Sequence, residues 1–233
     1  MTDLADALTY FVVFLFSTTL HEAAHAWVAL KGGDATAYHG GQVSLDPRPH
    51  IKRHPFGMVV LPLMSALLTG WPLGFASAPY DPEWARRYPR RAAIMALAGP
   101  LSNLLLATLS GIALRVGEAR GVFYAPDHIH FGAIAATDLG GSWEIGAHYL
   151  GIVFSMNLLL FFFNMLPFVP LDGSAVITLF MSEKATRRYQ EFLWSTPMLT
   201  WIGMMIAWQL ADVVFNPVFV AAVSLIYPGV SYG

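Results

Sequence analysis

The chain has 233 residues, of which 56% are hydrophobic and only 12% charged, where an ordinary soluble domain carries about 25% charged residues. A net charge of -2, with no basic run interleaved with aromatics, argues against a nucleic-acid partner, and the lack of cysteine excludes disulfides and thiolate metal ligands. The composition is that of a polytopic membrane protein in which any metal must be held by histidine and carboxylate.

The first element covers residues 4–30, LADALTYFVVFLFSTTLHEAAHAWVAL, which exceeds the about 20 mostly apolar residues needed to cross a bilayer. It follows an acidic start, MTDLAD, and is too long for a signal-peptide core, so it is expected to be retained. Inside it stand His21, Glu22 and His25, at a depth where each ionisable group costs about 2.5 to 3.5 kcal/mol on insertion scales. Metal binding is a reason to bear that cost. Histidines four apart lie one above the other on a helix face, with Glu22 projecting from the same turn. Two neutral imidazoles can hold zinc, while an adjacent carboxylate kept off the ion can take a proton from the attacking water. The alternative is three polar residues packed between helices without a metal. A catalytic zinc also needs a third protein ligand.

A polar stretch rich in Gly and Pro follows. Residues 35–39 and 42–45 flank Gly40-Gly41 and read as two short strands joined by a two-residue turn. The apolar run at 58–69, with Pro62 inside it, is short for a span and suits a re-entrant segment. Lys31, Arg48, Lys52 and Arg53 precede it and Arg86, Arg87, Arg90 and Arg91 follow. Positive loops mark the cytoplasmic side, and a re-entrant segment leaves both of these there. His39, His50 and His54 in the first loop lack ligand spacing and read as interfacial residues.

Residues 92–115 cross outward, with Ala92, Ala96, Gly99, Asn103 and Ala107 forming a small-residue stripe that lets helix backbones approach. Gly99 and Pro100 read as packing against the first helix; Asn103 either steadies a histidine ligand or makes an interhelical hydrogen bond. Residues 118–144 are acidic and form an outside loop, which puts His128 and His130 far from the first-helix histidines. Residues 145–166 cross back, 183–188 return positive charge to the cytoplasmic side, 197–215 form a further span, and the path of 216–227 is open.

His21 lies on the order of 13 Å from the cytoplasmic end of the first helix. The inbound span ends near that depth in NMLPFVPLDGSA, where Pro167 and Pro170 unwind the chain just before Asp172. Asp172 is the candidate third ligand, the alternative being a cap for a helix that starts at Gly173. For Asn164 the same unwinding leaves two readings: its amide folds back to serve a developing oxyanion or an extended substrate, or it satisfies carbonyls freed by Pro167.

In order and spacing, HEAAH, ALAGPLSN (96–103) and NMLPFVPLDG (164–173) resemble the site-2 protease family of intramembrane zinc metalloproteases, and the chain looks like the compact bacterial members without a PDZ domain. The resemblance spans residues 17–172. It implies hydrolysis of a peptide bond in or next to a transmembrane segment of a protein substrate. By the same resemblance one zinc ion per chain falls to His21, His25 and Asp172, the catalytic glutamate is Glu22, and the substrate-contacting asparagine is Asn164. Where the family usually carries a lysine and a Pro-Val-Pro stretch, this chain has FASAPYD at 75–81.

The expected fold is an all-α polytopic membrane protein of about five to six transmembrane helices, with a small re-entrant β-hairpin region after the first helix. The whole of 1–233 is expected to be one membrane-embedded domain, multi-pass in the cell membrane, with the site toward the cytoplasm and no nucleic-acid partner. The rival is a catalytically idle membrane binding protein that keeps the zinc fold. A zinc transporter is weaker, because the other spans carry no further ligand sites along a path.

Overall fold

The computed structural model describes residues 4–230, so Met1, Thr2 and Asp3 of the acidic start lie outside the described residues. The first helix, α1 (Leu4–Gly32), carries Asp6 in its first turn and Lys31 in its last, each sign matching the helix dipole. Its end is set by Gly33 at φ +98: the Gly33 amide donates to Leu30 and the Asp34 amide to Ala29, at 3.1 and 2.9 Å. That pair of bonds satisfies the last carbonyls and turns the chain sharply.

The same device corrects the expected hairpin. Residues 36–39 form a helical turn, α2 (Thr36–His39), because Asp34 Oδ1 accepts from both the Thr36 amide and its hydroxyl, at 2.9 and 2.5 Å. Gly41, at φ +74, then ends the turn as Gly33 ends α1, with Gly41 N–H to Tyr38 O and Gln42 N–H to Ala37 O, both 2.9 Å. Gly40-Gly41 is therefore a helix C-cap and not a strand-to-strand turn. Among the described residues there are no strands, only the isolated bridges Tyr124–Ala136 and His130–Ala133 within residues 120–141.

Two short helices are capped by aspartate: α3 (Pro47–Arg53), where Asp46 accepts from the Arg48 amide, and α5 (Pro82–Arg87), where Asp81 accepts from the Glu83 amide. The Asp46 carboxyl is also held below the usual range by its hydrogen bonds to Arg48. Between them a π-helical turn (Phe56–Val60) runs into α4 (Leu61–Thr69), ended by Gly70 at φ +79. Together these rise roughly 21 Å at about 1.5 Å per residue, short of the about 30 Å of hydrocarbon. Trp71 nevertheless reaches Tyr10, in the second turn of α1, with ring centroids 6.5 Å apart. From there residues 72–81 return without regular structure until the Asp81 amide donates to Asp34 Oδ2 at 2.8 Å. Gly32 accepts from Trp84 Nε1 and from Arg91, at 3.1 and 3.0 Å. The two basic segments thus meet at one end of α1, as a re-entrant path requires.

The long helices α6 (Pro89–Ala119) and α7 (Ser142–Asn164) complete a three-helix bundle with α1. On α6 every member of the small-residue stripe, Ala92, Ala96, Gly99, Asn103 and Ala107, is buried. After α7 come α8 (Gly173–Val176), a 3-10 turn (Ile177–Phe180), amphipathic α9 (Glu183–Ser195) and α10 (Met198–Ile226). Among the described residues three helices, α1, α6 and α7, are long and apolar enough to cross a membrane, and α10 makes four if its halves Met198–Ala211 and Val213–Ile226, bent by 46°, count as one span. The five to six expected are not reached: 197–215 and 216–227, the path of the latter being open in the sequence, fall in one helix. Its bend falls at position 212, five residues before Pro217, a residue that cannot donate to the carbonyl one turn earlier.

Candidate metal centre

His21 and His25 are 6% exposed and meet edge to face on α1, with ring centroids 4.6 Å apart. Room for them is made by α6. A Cβ on Gly99 would stand 2.3 Å from His25 Nε2 and 2.5 Å from His21 Nε2, so only glycine lets the α6 backbone come this close. Pro100 removes the helical donor of Ala96 and loosens the backbone before it. There the carbonyl of Met95 accepts from His25 Nδ1 at 2.7 Å, while Asn103 Oδ1 accepts from His21 Nδ1 at 2.6 Å.

Asp172 arrives from the other side. The segment after α7 folds tightly enough that a Cβ on Gly173 would lie 2.3 Å from the Met165 carbonyl and 2.4 Å from that of Leu166. This brings Asp172 Oδ2 to 3.1 Å from His21 Nε2 and 3.3 Å from His25 Nε2, the two Nε2 atoms themselves being 2.9 Å apart. Although α8 does begin at Gly173, the Asp172 side chain makes no cap hydrogen bond to it.

The three ligand atoms lie within 4.8 Å of one another, and among the described residues no other group of this kind occurs. Their chemistry fits zinc. With both Nδ1 protons committed to oxygen acceptors, two Nε2 lone pairs and a carboxylate oxygen converge, an arrangement that a cation holds together. Donors at about 2.0 to 2.2 Å from a tetrahedral ion stand roughly 3.3 Å apart, close to the separations seen.

Glu22 is 5% exposed, and its Oε2 has no hydrogen-bond partner among the described residues. It is a buried acceptor with free capacity beside the ligand group. A cavity of about 330 Å³ opens next to Asp172, walled by Met95, Ala96, Pro170, Tyr80 and Tyr189. Burial raises both phenols above their ordinary value. A larger cavity, about 850 Å³, lies between Trp71, His128, Phe131 and Trp208 and includes none of the ligand residues.

The other sequence candidates fall elsewhere. Asn164 ends α7 with its amide donating to the Leu160 carbonyl at 3.0 Å, one turn back on its own helix. Leu160 is not a carbonyl freed by Pro167, which is that of Phe163. His39 is exposed and His54 bonds Ser77 at 2.8 Å, whereas His50 is not interfacial but 1% exposed, donating from Nε2 to the Ser44 carbonyl. Asn103 does both things considered for it, touching His21 and bridging to α7 through Asn157 Oδ1 at 2.9 Å. Asn157 and Ser17, both fully buried beside it, escaped the sequence reading. The signal for Asn157 was an amide inside the otherwise apolar stretch MNLLLFFF.

Known proteins are similar to this chain. YwhC of Bacillus subtilis (strain 168), which has zinc metalloprotease in its name, is 35% identical over 173 residues, covering 73% of this chain and 68% of its own. Two proteins called Rip2, also with zinc metalloprotease in their names, are 29% identical (Mycolicibacterium smegmatis) and 32% identical (Mycobacterium tuberculosis), over 79% and 70% of this chain and 64% and 54% of their own. No solved structure matches. The model of peptidase family M50 matches residues 9–204, a stretch that starts before the histidines of α1 and ends beyond Asp172. It therefore takes in every residue that converges here, and the chain belongs to peptidase family M50, the site-2 zinc metalloproteases.

Proposed function

We propose that this membrane zinc endopeptidase hydrolyses a peptide bond in or next to a transmembrane segment of a protein substrate, with its site toward the cytoplasmic side of the cell membrane. The observation that carries the proposal is the convergence of His21, His25 and Asp172 inside helices apolar enough to span a bilayer. A site at that depth serves a substrate that is itself in the membrane. The cytoplasmic assignment rests on the arginine-rich segments gathered at the Gly32 end of α1.

In this reading His21 and His25 offer Nε2 and Asp172 offers Oδ2 to the ion. Zinc, when bound, polarises the scissile carbonyl and makes water a stronger acid. Glu22 takes the proton of the attacking water on its unpartnered Oε2 and passes it to the departing amine. Asn164 turns its amide from Leu160 toward the substrate, a change of side-chain rotamer at the last residue of α7. Because a helical peptide bond is shielded by its own hydrogen bonds, the substrate unwinds before attack, and the cavity beside Asp172 is the place for the extended segment. The expected hairpin edge, to which such a segment could have added as a strand, does not exist.

The test uses the purified full chain in proteoliposomes, assayed for zinc and then for cleavage of a panel of single-span substrates. One zinc per chain with cleavage within or beside the span is the expected result. Stoichiometric zinc with every substrate intact, at the cytoplasmic and the opposite face alike, would leave the idle binding protein as the correct reading.

A further inference from the structure

His21 can hold a metal through Nε2 only if its own proton sits on Nδ1. Its Nδ1 faces not a carbonyl but a side-chain amide, Asn103, whose oxygen and nitrogen ends have nearly the same shape. Rotated by half a turn, Asn103 would aim its NH2 at Nδ1 and force the proton onto Nε2, where it would block the ligand. His25 is not exposed to this ambiguity, since its partner is the Met95 carbonyl, which only accepts. Something must therefore set the direction of Asn103.

That direction can be traced outward through bonds buried at the centre of the bundle. Asn103 Nδ2 donates to Asn157 Oδ1 at 2.9 Å and approaches the Ser17 carbonyl at 3.4 Å. Asn157 is in turn an amide that could face either way. Its Nδ2 donates to the Val153 carbonyl at 2.8 Å and to Ser17 Oγ at 2.9 Å. The Val153 oxygen has no proton to give, so the NH2 end of Asn157 must face it and the oxygen end must face Asn103. Asn103, Asn157 and Ser17 all have 0% exposure, so water cannot substitute for any partner.

We propose that Asn157 is a positioning residue that, through Asn103, fixes the tautomer of His21. The relay starts at an acceptor-only backbone oxygen of α7, crosses to α6 and ends on α1, where it holds a proton on Nδ1 and leaves Nε2, the nitrogen that faces Asp172, as the ligand atom. The inference rests on the reading of His21 as a zinc ligand.

The experiment is nitrogen NMR of the detergent-solubilised full chain labelled with 15N-histidine, the His21 signals being assigned by their absence from a His21→Ala sample. In metal-free wild type His21 should show a protonated Nδ1, retained on adding zinc while the Nε2 resonance shifts. Asn157→Leu, close in volume and unable to hydrogen-bond, should give metal-free protein with a population protonated at Nε2 and a zinc Kd weakened about 10- to 100-fold. A merely structural Asn157 would instead lower the melting temperature and leave the Nδ1 proton and the zinc Kd unchanged, which overturns the proposal. If the variant does not fold, wild type decides: metal-free His21 carrying its only ring proton on Nε2 overturns the relay. An Nε2 resonance that zinc leaves in place removes His21 from the ligand set, a separate failure.

Discussion

Glu22 and Asp172 are both carboxylates at one centre, yet their surroundings assign them opposite tests. Glu22 has no bond to either histidine and keeps a free oxygen, so Glu22→Gln should leave about one zinc per chain while proteolysis falls to background; cleavage near the wild-type rate would remove it as the base. Asp172 stands 3.1 and 3.3 Å from the two imidazoles, and Asp172→Ala should lower zinc content itself, read by metal analysis after dialysis. Asn164 is decided by kinetics: a lost oxyanion donor lowers turnover about 100- to 1,000-fold with metal retained. Loss of only its Leu160 bond should instead lower the melting temperature of Asn164→Ala with activity within a few-fold. At this scale the sequence was most informative. Two histidines four apart need only helix geometry to be brought together, whereas Asn157 and Ser17, 140 positions apart in the chain, meet through the packing of two helices, which no local pattern encodes.

Helix by helix, the stripe on α6 was legible because small residues at spacings of three and four have one use in a bundle, while the hairpin was misread because Gly-Gly serves two kinds of turn equally. What decided between them was Asp34, whose carboxylate captures the Thr36 amide and so starts a helical turn before a strand can form. The stripe supplies a prediction in which two effects oppose. Gly99→Ala would gain up to about 1 kcal/mol of helix propensity, but its methyl would sit 2.3 Å from His25 Nε2. Overpacking of that kind costs about 1 to 3 kcal/mol, so the clash wins. Weaker zinc binding is expected, with helicity by circular dichroism unchanged; wild-type zinc affinity would mean that α6 shifts to make room.

For the molecule as a whole, composition was enough to recognise several helices apolar enough to cross a membrane, but not their number, since a proline-bent helix and two separate ones look alike in hydropathy. The lack of native cysteine makes the arrangement easy to read. Single cysteines at the exposed positions Thr36 and Glu83 should react with an impermeant thiol reagent from the cytoplasmic side alone, and one at Asp138 from the opposite side; opposite labelling of the first two would make Phe56–Thr69 a true crossing. Every polar group of the centre lies toward the Gly32 end, whereas toward the other end the bundle closes over Val13, Phe14, Ile152 and Met156, and then Leu114, Ile134, Phe154, Phe219 and Val223. A hydrolase buried in a membrane must be supplied with water without becoming a leak. This packing lays an apolar floor between the site and that end. Vesicles carrying the protein should therefore hold an imposed pH gradient as long as empty ones do, and a faster collapse would reveal a wet path through the floor. Replacing Ile152 or Phe154 with a polar residue should be tolerated less for its effect on peptide hydrolysis than for what it does to the ion gradients of the host membrane.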